Sequence, residues 1–207
     1  MRIDDYKNAM ALAAKDLGGR RASEVASLAG ASLVGDDLRF AFMNREVVVS
    51  TPSYRVAWAD QKPGEEFALT DAVMVLHYLQ LARGAGPVGE LVAYRQIPGG
   101  EFYAAAFRKR AELPLIDAFG QKPGLLTKAA RAMGGKILPG LGDEAASFRA
   151  APNLEVVALI HLGDEEFPAD GQVLFDKSIA AALSIEDAAW VGSAVVYRLM
   201  SAARKIG

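Results

Sequence analysis

Residues Leu154 to Leu162 read Leu-Glu-Val-Val-Ala-Leu-Ile-His-Leu, which is the clearest strand signal in the chain. A short, nearly continuous run of branched apolar residues is typical of an interior strand that is covered on both faces. Downstream, Val173–Phe175 predicts a short strand. Ser184 and Asp187, three residues apart, resemble a capping box that opens a helix. The chain therefore predicts a central strand, a shorter strand and a C-terminal amphipathic helix.

Upstream of this strand, the spacing of the apolar residues changes several times between that of a helix and that of a strand. Residues 31–58 predict an antiparallel meander of three or four short strands, because short apolar runs there are separated by turn residues. Thr70–Arg83 predicts a helix that is apolar on almost every side and is therefore buried. Further helices are predicted over 3–17, 22–29, 102–119 (with a break or kink at Pro114) and 125–133, and a strand over 90–97. The region 137–152 is rich in glycine and proline and gives only a weak pattern.

Strands and helices are grouped along the chain instead of alternating regularly. This order favours an α+β fold over a sheet of parallel βαβ units. We therefore predict one domain over residues 1–207, with a mostly antiparallel sheet, packed helices and a C-terminal amphipathic helix.

Composition excludes several functions before any motif is considered. The chain has 207 residues, no cysteine and a net charge of −2, so it cannot form a disulfide, a thiolate metal site or a cysteine nucleophile. The charge balance gives no reason to expect nucleic-acid binding, and no run of about 20 apolar residues predicts a membrane span. Asp4 and Asp5 are unlike the basic start of a signal peptide. We expect a cytoplasmic protein, and the sequence leaves its oligomeric state open.

The two histidines are the first candidate site residues. His77 lies within the apolar helix, next to Tyr78, where a buried neutral imidazole could serve as an axial ligand or a general base. It could equally be a core histidine that bonds to its neighbours. His161 lies near the end of the central strand, where it could meet an acidic loop or simply mark the return of the chain to water.

The acidic loop that follows the central strand supplies the other candidates. Asp164, Glu165 and Glu166 lie in this loop, and Asp176 follows the next predicted strand. Carboxylates that converge can bind a hard cation or divide the roles of acid and base. The other interpretation is a solvated acidic turn, and the spacing is not that of a calcium-binding loop.

Several segments resemble one protein family. They are Thr70-Asp71 with Leu76-His77-Tyr78-Leu79, Phe107-Arg108, Ala118-Phe119-Gly120, Gly163 to Pro168, Leu174-Phe175-Asp176 and Ser184 to Asp187. In this order they resemble a domain-of-unknown-function family, number 3786 in its series, of anaerobic bacteria and archaea. The resemblance implies no established activity, but it places the chain near corrinoid and one-carbon functions. Some relatives carry an iron–sulfur segment; this chain lacks cysteine, so a partner protein would have to supply any cluster.

Three functions follow as hypotheses. The first is a binding or accessory protein for a small molecule or cofactor, such as a corrinoid or haem, in anaerobic metabolism. The second is an interaction module that docks a protein partner such as a metalloenzyme. The third is a metal-assisted hydrolase that uses the acidic residues between 164 and 187. The candidate ligand-binding residues are His77, Tyr78, His161, Asp164, Glu165, Glu166 and Asp176. If His77 lines a pocket, the first and third hypotheses gain over the second.

Overall fold

The computed structural model describes residues 3–206 as two antiparallel sheets packed with helices. The helices are α1 (Ile3–Gly18), α2 (Ala22–Ala29), α3 (Leu69–Leu81), α4 (Ala104–Phe107), α5 (Leu113–Phe119), α6 (Leu125–Ala132) and α7 (Ile185–Ile206). The strands are β1 (Ser32–Val34), β2 (Asp37–Phe42), β3 (Arg45–Ser50), β4 (Arg55–Trp58), β5 (Leu91–Ala93), β6 (Lys136–Ile137), β7 (Glu144–Ala151), β8 (Leu154–His161) and β9 (Asp170–Asp176). The predicted α+β class is confirmed.

The smaller sheet is the predicted meander, with strand order β1-β2-β3-β4. Along β2, Leu38, Phe40 and Phe42 are buried on one face, as the alternation of a strand requires. Met43 and Asn44 join β2 to β3, and both have positive φ, which is the requirement of a two-residue type I′ hairpin turn.

The larger sheet has the order β5-β9-β8-β7-β6, so β8 has strands on both sides, as its sequence predicts. Val156, Ala158 and Ile160 of β8 belong to the main core, whereas Val157 and Leu159 form a smaller cluster on the other face. The residues packed against the smaller cluster are Leu138, Leu141 and Leu174. The glycine-rich segment before β7 therefore covers the second face of the central strand.

Three segments differ from their sequence-based predictions. Strand β7 lies where the pattern was weak, because its sequence EAASFRAA is rich in alanine and has no β-branched residue. Strand β5 ends at Ala93, and a 3₁₀ turn follows over Tyr94–Gln96. The predicted helix 102–119 is not broken at Pro114. Instead, a π-helical turn over Arg108–Glu112 lies within this range, shortly before the proline. Proline has no N–H for the carbonyl four residues earlier, so a wider turn accommodates it.

Helix α7 packs closely on the larger sheet through Gly192. A Cβ atom built on Gly192 would lie 2.8 Å from Phe175 Cζ and 3.0 Å from Phe107 Cζ, which shows how near the helix backbone comes to these rings. Helix α3 is buried along most of its length and contacts both α1 and α7. Within residues 3–206, none of the helices combines the length and hydrophobicity that a membrane span needs.

Candidate functional site

A groove of about 730 Å³ lies between α3 and α7, and α1 contributes one of its walls. Its lining combines apolar, aromatic and charged side chains. The lining residues are Tyr6 and Ala9 from α1; Thr70, Asp71, Val73, Met74 and His77 from α3; Arg110; and Glu186, Asp187, Trp190, Ser193, Ala194, Tyr197, Arg198 and Ser201, all from α7. The structure thus places one predicted residue, His77, in a concave site of the size that small molecules occupy, roughly 300–1,000 Å³.

His77 is held in one orientation by Asp187. The imidazole Nδ1 lies 3.0 Å from Oδ1 and 3.1 Å from Oδ2 of Asp187. In the neutral ring, Nδ1–H then donates to the carboxylate, which leaves Nε2 as the unprotonated nitrogen. Among residues 3–206, Nε2 has no hydrogen-bond partner, and the His77 side chain remains 27% exposed.

Asp187 is in turn fixed by the first turn of α7. The Ser184 hydroxyl donates to Oδ2 of Asp187 at 2.8 Å, and the Asp187 backbone N–H donates to the Ser184 oxygen at 3.1 Å. The predicted pairing of Ser184 with Asp187 is therefore confirmed. Because Asp187 is almost fully buried, its carboxylate needs these partners. Ser184, Asp187 and His77 thus form a continuous hydrogen-bonded chain that ends in the groove.

The charge of Asp187 alters the proton affinity of His77. The hydrogen bond to Asp187 raises the pKa of His77 above its usual value, although partial burial opposes this shift. A carboxylate behind a histidine is the arrangement that orients imidazole ligands of metals and makes them more basic. The same geometry would also suit a proton acceptor.

A second side-chain pair, an ion pair, joins α3 and α7 farther along the groove. Arg198 Nη2 donates to Oδ2 of Asp71 at 2.8 Å, and Asp71 is 8% exposed. Asp71 also lies in the first turn of α3, where the helix dipole favours a negative charge. The two side-chain pairs between α3 and α7 therefore fix the distance between the walls of the groove.

Tyr78 faces away from the groove, although it is adjacent to His77. Its hydroxyl donates to the carbonyl of Ala29 at 2.5 Å and accepts from the Asn153 N–H at 3.2 Å. Burial raises the pKa of Tyr78 to about 12. These contacts give Tyr78 a structural role in joining α2, α3 and the turn before β8.

The acidic loop and His161 lie at one end of the larger sheet. The Asp164 carboxylate accepts the backbone N–H groups of Glu166 and Phe167 at 2.9 and 2.7 Å, so it closes its own turn. Glu165, Glu166 and His161 are exposed. The acidic loop is therefore a solvent-exposed turn that is closed by its own hydrogen bonds.

Asp176 lies at the other end of the sheet and is 1% exposed. It accepts the N–H groups of Val88, Gly89 and Ser178 at 3.0, 2.6 and 2.9 Å. His161 pairs with Asp170, six residues before Asp176 on β9, a separation of about 20 Å along a strand. The structure therefore does not bring Asp176 together with the loop carboxylates. Residues 3–206 contain no group of three or more His, Cys, Asp or Glu side chains that could hold a metal ion.

Sequence reasoning missed the partner of His77. Asp187 was predicted as a helix-capping residue and belonged to the acidic residues between 164 and 187, and Asp71 was named only in the Thr70-Asp71 family segment; neither was predicted to pair with a residue of the other helix. Their partners lie 110 and 127 residues away in the sequence. One feature of the sequence could have indicated these pairs. Each acidic residue lies on an otherwise apolar helix face, and a buried polar group needs a hydrogen-bond partner.

Comparison with known proteins identifies the family of the chain. No curated protein and no solved structure matches the chain. The family model described as "Domain of unknown function (DUF3786)" matches residues 21–198. This range contains both His77 and Asp187 and leaves α1 outside it. The chain belongs to the DUF3786 family.

Proposed function

We propose that this protein binds a metal-containing tetrapyrrole, a corrinoid or haem, in the groove between α3 and α7. The observation that carries the proposal is the fixed imidazole of His77, whose Nδ1 is bonded to Asp187 while Nε2 is left free at the groove. A neutral histidine nitrogen held in this way is a suitable axial ligand.

The number of ligands favours a macrocycle over a bare metal ion. His77 offers one nitrogen, and its partner Asp187 is already engaged by His77 and Ser184. A metal bound at Nε2 would therefore draw its other ligands from the molecule that carries it. A tetrapyrrole supplies four nitrogens of its own and needs only one or two further ligands from a protein.

The shape and lining of the groove support the same proposal. Its volume of about 730 Å³ is within the range of small-molecule sites, and its lining offers both apolar and charged side chains. Trp190, Tyr197 and Tyr6 provide aromatic surface, which packs well against flat conjugated rings. An accessory role in anaerobic metabolism, beside corrinoid enzymes, is part of the same proposal and follows from the family resemblance.

A spectroscopic titration tests the proposal. Purified protein is mixed with hydroxocobalamin and, separately, with haemin, and the visible absorbance is recorded at each ligand concentration. We expect a saturable spectral change with one of the two, because replacement of the exchangeable water, hydroxide or chloride ligand by imidazole alters the electronic spectrum of the metal.

Two variants make the titration specific. His77→Ala should lose the spectral change, because it removes the ligating nitrogen. His161→Ala is the matched control, since His161 is the only other histidine and is exposed at the end of β8. Unchanged spectra with both ligands, or identical changes in the wild type and His77→Ala, would contradict the proposal.

A further inference from the structure

A second groove, of about 710 Å³, lies between the loop after α5, helix α6 and the last turns of α7. It shares no lining residue with the groove at His77. The lining residues are Ala118, Lys122, Pro123, Leu125, Lys128, Met200, Ala203 and Arg204.

The floor of this second groove is apolar. Ala118, Leu125, Met200 and Ala203 are half-buried side chains that pack against the main core and expose their outer surfaces to the groove. A hydrocarbon chain placed there would remove this surface from water, and burial of apolar surface is favourable. The groove therefore offers an apolar ligand a binding surface that the protein's own side chains leave open.

The charged side chains that line the groove are all positive. Lys122, Lys128 and Arg204 line the groove, and no acidic residue does. Within residues 3–206, none of the three forms an ion pair, although Arg204 Nε donates to the Met200 carbonyl of its own helix at 3.3 Å. The whole chain carries a net charge of −2, so these cations make the groove locally opposite in sign. An anionic group is the complementary partner.

The backbone N–H groups at the start of α6 are not available to bind that anion, because they already have an acceptor. The Glu144 carboxylate already accepts the N–H of Gly124 at 2.6 Å and both the N–H and the hydroxyl of Thr127, at 2.8 and 2.6 Å. The side chains of the two lysines and the arginine are therefore the donors left for a ligand.

We infer that this second groove binds a small amphiphilic anion, a molecule with an unbranched apolar chain and a carboxylate or phosphate head. The chain lies on Leu125, Met200 and Ala203, and the head lies among Lys122, Lys128 and Arg204. The concave form and the volume are those of small-molecule sites, roughly 300–1,000 Å³. A short anion such as acetate lacks the apolar part, and an amphiphilic cation would meet three like charges.

Isothermal titration calorimetry with the full chain tests this inference. The ligands are dodecanoate, dodecyl phosphate and dodecyltrimethylammonium, each below its critical micelle concentration. We expect saturable one-site binding of at least one of the two anions and none of the cation. Comparison of the two anions distinguishes a carboxylate head from a phosphate head.

Charge-reversed variants locate the binding. The double variant Lys128→Glu/Arg204→Glu should bind the anion roughly tenfold more weakly, because it loses two attractive charges and gains two repulsive ones. Lys109→Glu is the control for each single variant, Lys128→Glu and Arg204→Glu, since Lys109 is exposed and lines neither groove. All three positions are on the surface, and circular dichroism verifies that each variant is folded.

Several results would overturn the inference. They are no binding of either anion, equal binding of the cation, and equal binding by the wild type and the double variant. Weaker anion binding in His77→Ala would move the site to the first groove. Binding of an acidic amphipathic peptide without binding of either anion would make the second groove a docking site for a protein helix instead.

Discussion

His77 and Asp187 meet across the groove between two helices, with Nδ1 of the imidazole 3.0 Å from one carboxylate oxygen and 3.1 Å from the other. The pair joins α3 to the first turn of α7. It gives Asp187 two roles, because the same carboxylate also accepts the Ser184 hydroxyl that caps the helix. The orientation of the imidazole thus depends on how α7 begins.

The first prediction concerns stability against pH. Because Asp187 raises the pKa of His77, the pair stabilises the protonated imidazole in the folded protein. That contribution is fully present below the unfolded-state value of about 6.5 and is lost as the pH rises through the folded-state pKa. Asp187→Asn, which removes the charge but keeps a hydrogen-bond acceptor, should therefore cost more stability under mildly acidic than under alkaline conditions.

The pH-dependent part of this cost is no more than about 1 kcal/mol, because the His77 side chain is partly exposed. Urea denaturation at a series of pH values gives the free energy of unfolding of both proteins. His161→Ala serves as the control and should show no such difference. A cost that is constant with pH, or that grows as the pH rises, would contradict the conclusion that Asp187 stabilises the protonated imidazole of His77.

The second prediction concerns the affinity for a tetrapyrrole. A proton on Nε2 competes with a metal for the same nitrogen. The affinity should therefore increase with pH as His77 loses its proton, up to the pH at which hydroxide competes with the imidazole for the metal. In Asp187→Asn the increase should occur at lower pH. Spectroscopic titrations at several pH values measure this dependence, and an affinity that does not rise between mildly acidic and neutral pH would exclude His77 as the ligand.

The third prediction concerns the contact between α7 and the larger sheet. Gly192→Ala adds a methyl group that would contact Phe175 and Phe107 at 3.0 Å or less. Phe107 cannot move away easily, since its ring stacks on Tyr94 with centroids 4.2 Å apart. Overpacking costs about 1–3 kcal/mol and is offset by about 1 kcal/mol from the higher helix propensity of alanine, so the net result should be a destabilisation of up to about 2 kcal/mol.

Thermal and chemical denaturation measure this cost. Gly18→Ala is the matched control, because Gly18 is also helical and a Cβ there meets nothing within 4 Å. We expect that variant to be as stable as the wild type or slightly more stable. If Gly192→Ala also stabilises the protein, the packing of α7 is looser than described.

The fourth prediction separates the acidic candidates from the groove. Asp176→Asn should destabilise the protein by about 1–3 kcal/mol, because an amide cannot accept from three backbone N–H groups as the buried carboxylate does. Asp164→Asn should cost less than about 1 kcal/mol, since its turn is exposed. Neither change should alter tetrapyrrole binding by the folded protein. Weaker binding by Asp164→Asn would place a site in the acidic loop.

Local patterns predicted most of the fold. The meander at 31–58, the buried strand at 154–162 and the C-terminal helix depend on apolar period, turn residues and a capping pair, which act over a few neighbouring residues. Strand β7 was missed because alanine gives little strand preference, and its pairing with β8 and β6 stabilises it instead. The π-helical turn before Pro114 was missed because a break, a kink and a wider turn are local alternatives that only packing selects.

The candidate site was predicted only in part. His77 was identified because an imidazole on an apolar helix is unusual. Tyr78 was a candidate through the family resemblance, and the structure buries it against Ala29 and Asn153. Asp187 lies 110 residues from His77. No local pattern predicts which carboxylate reaches which imidazole, because that choice depends on how α3 and α7 pack.

The most direct test of the central proposal is a long-range ¹H–¹⁵N spectrum of the imidazole rings. The chain has two histidines, so each ring nitrogen can be assigned with His77→Ala and His161→Ala. The ligands are diamagnetic, hydroxocobalamin and zinc protoporphyrin. With one of them, Nε2 of His77 should shift strongly while His161 does not change. If neither ligand shifts Nε2 of His77, or if His161 shifts instead, His77 is not the axial ligand.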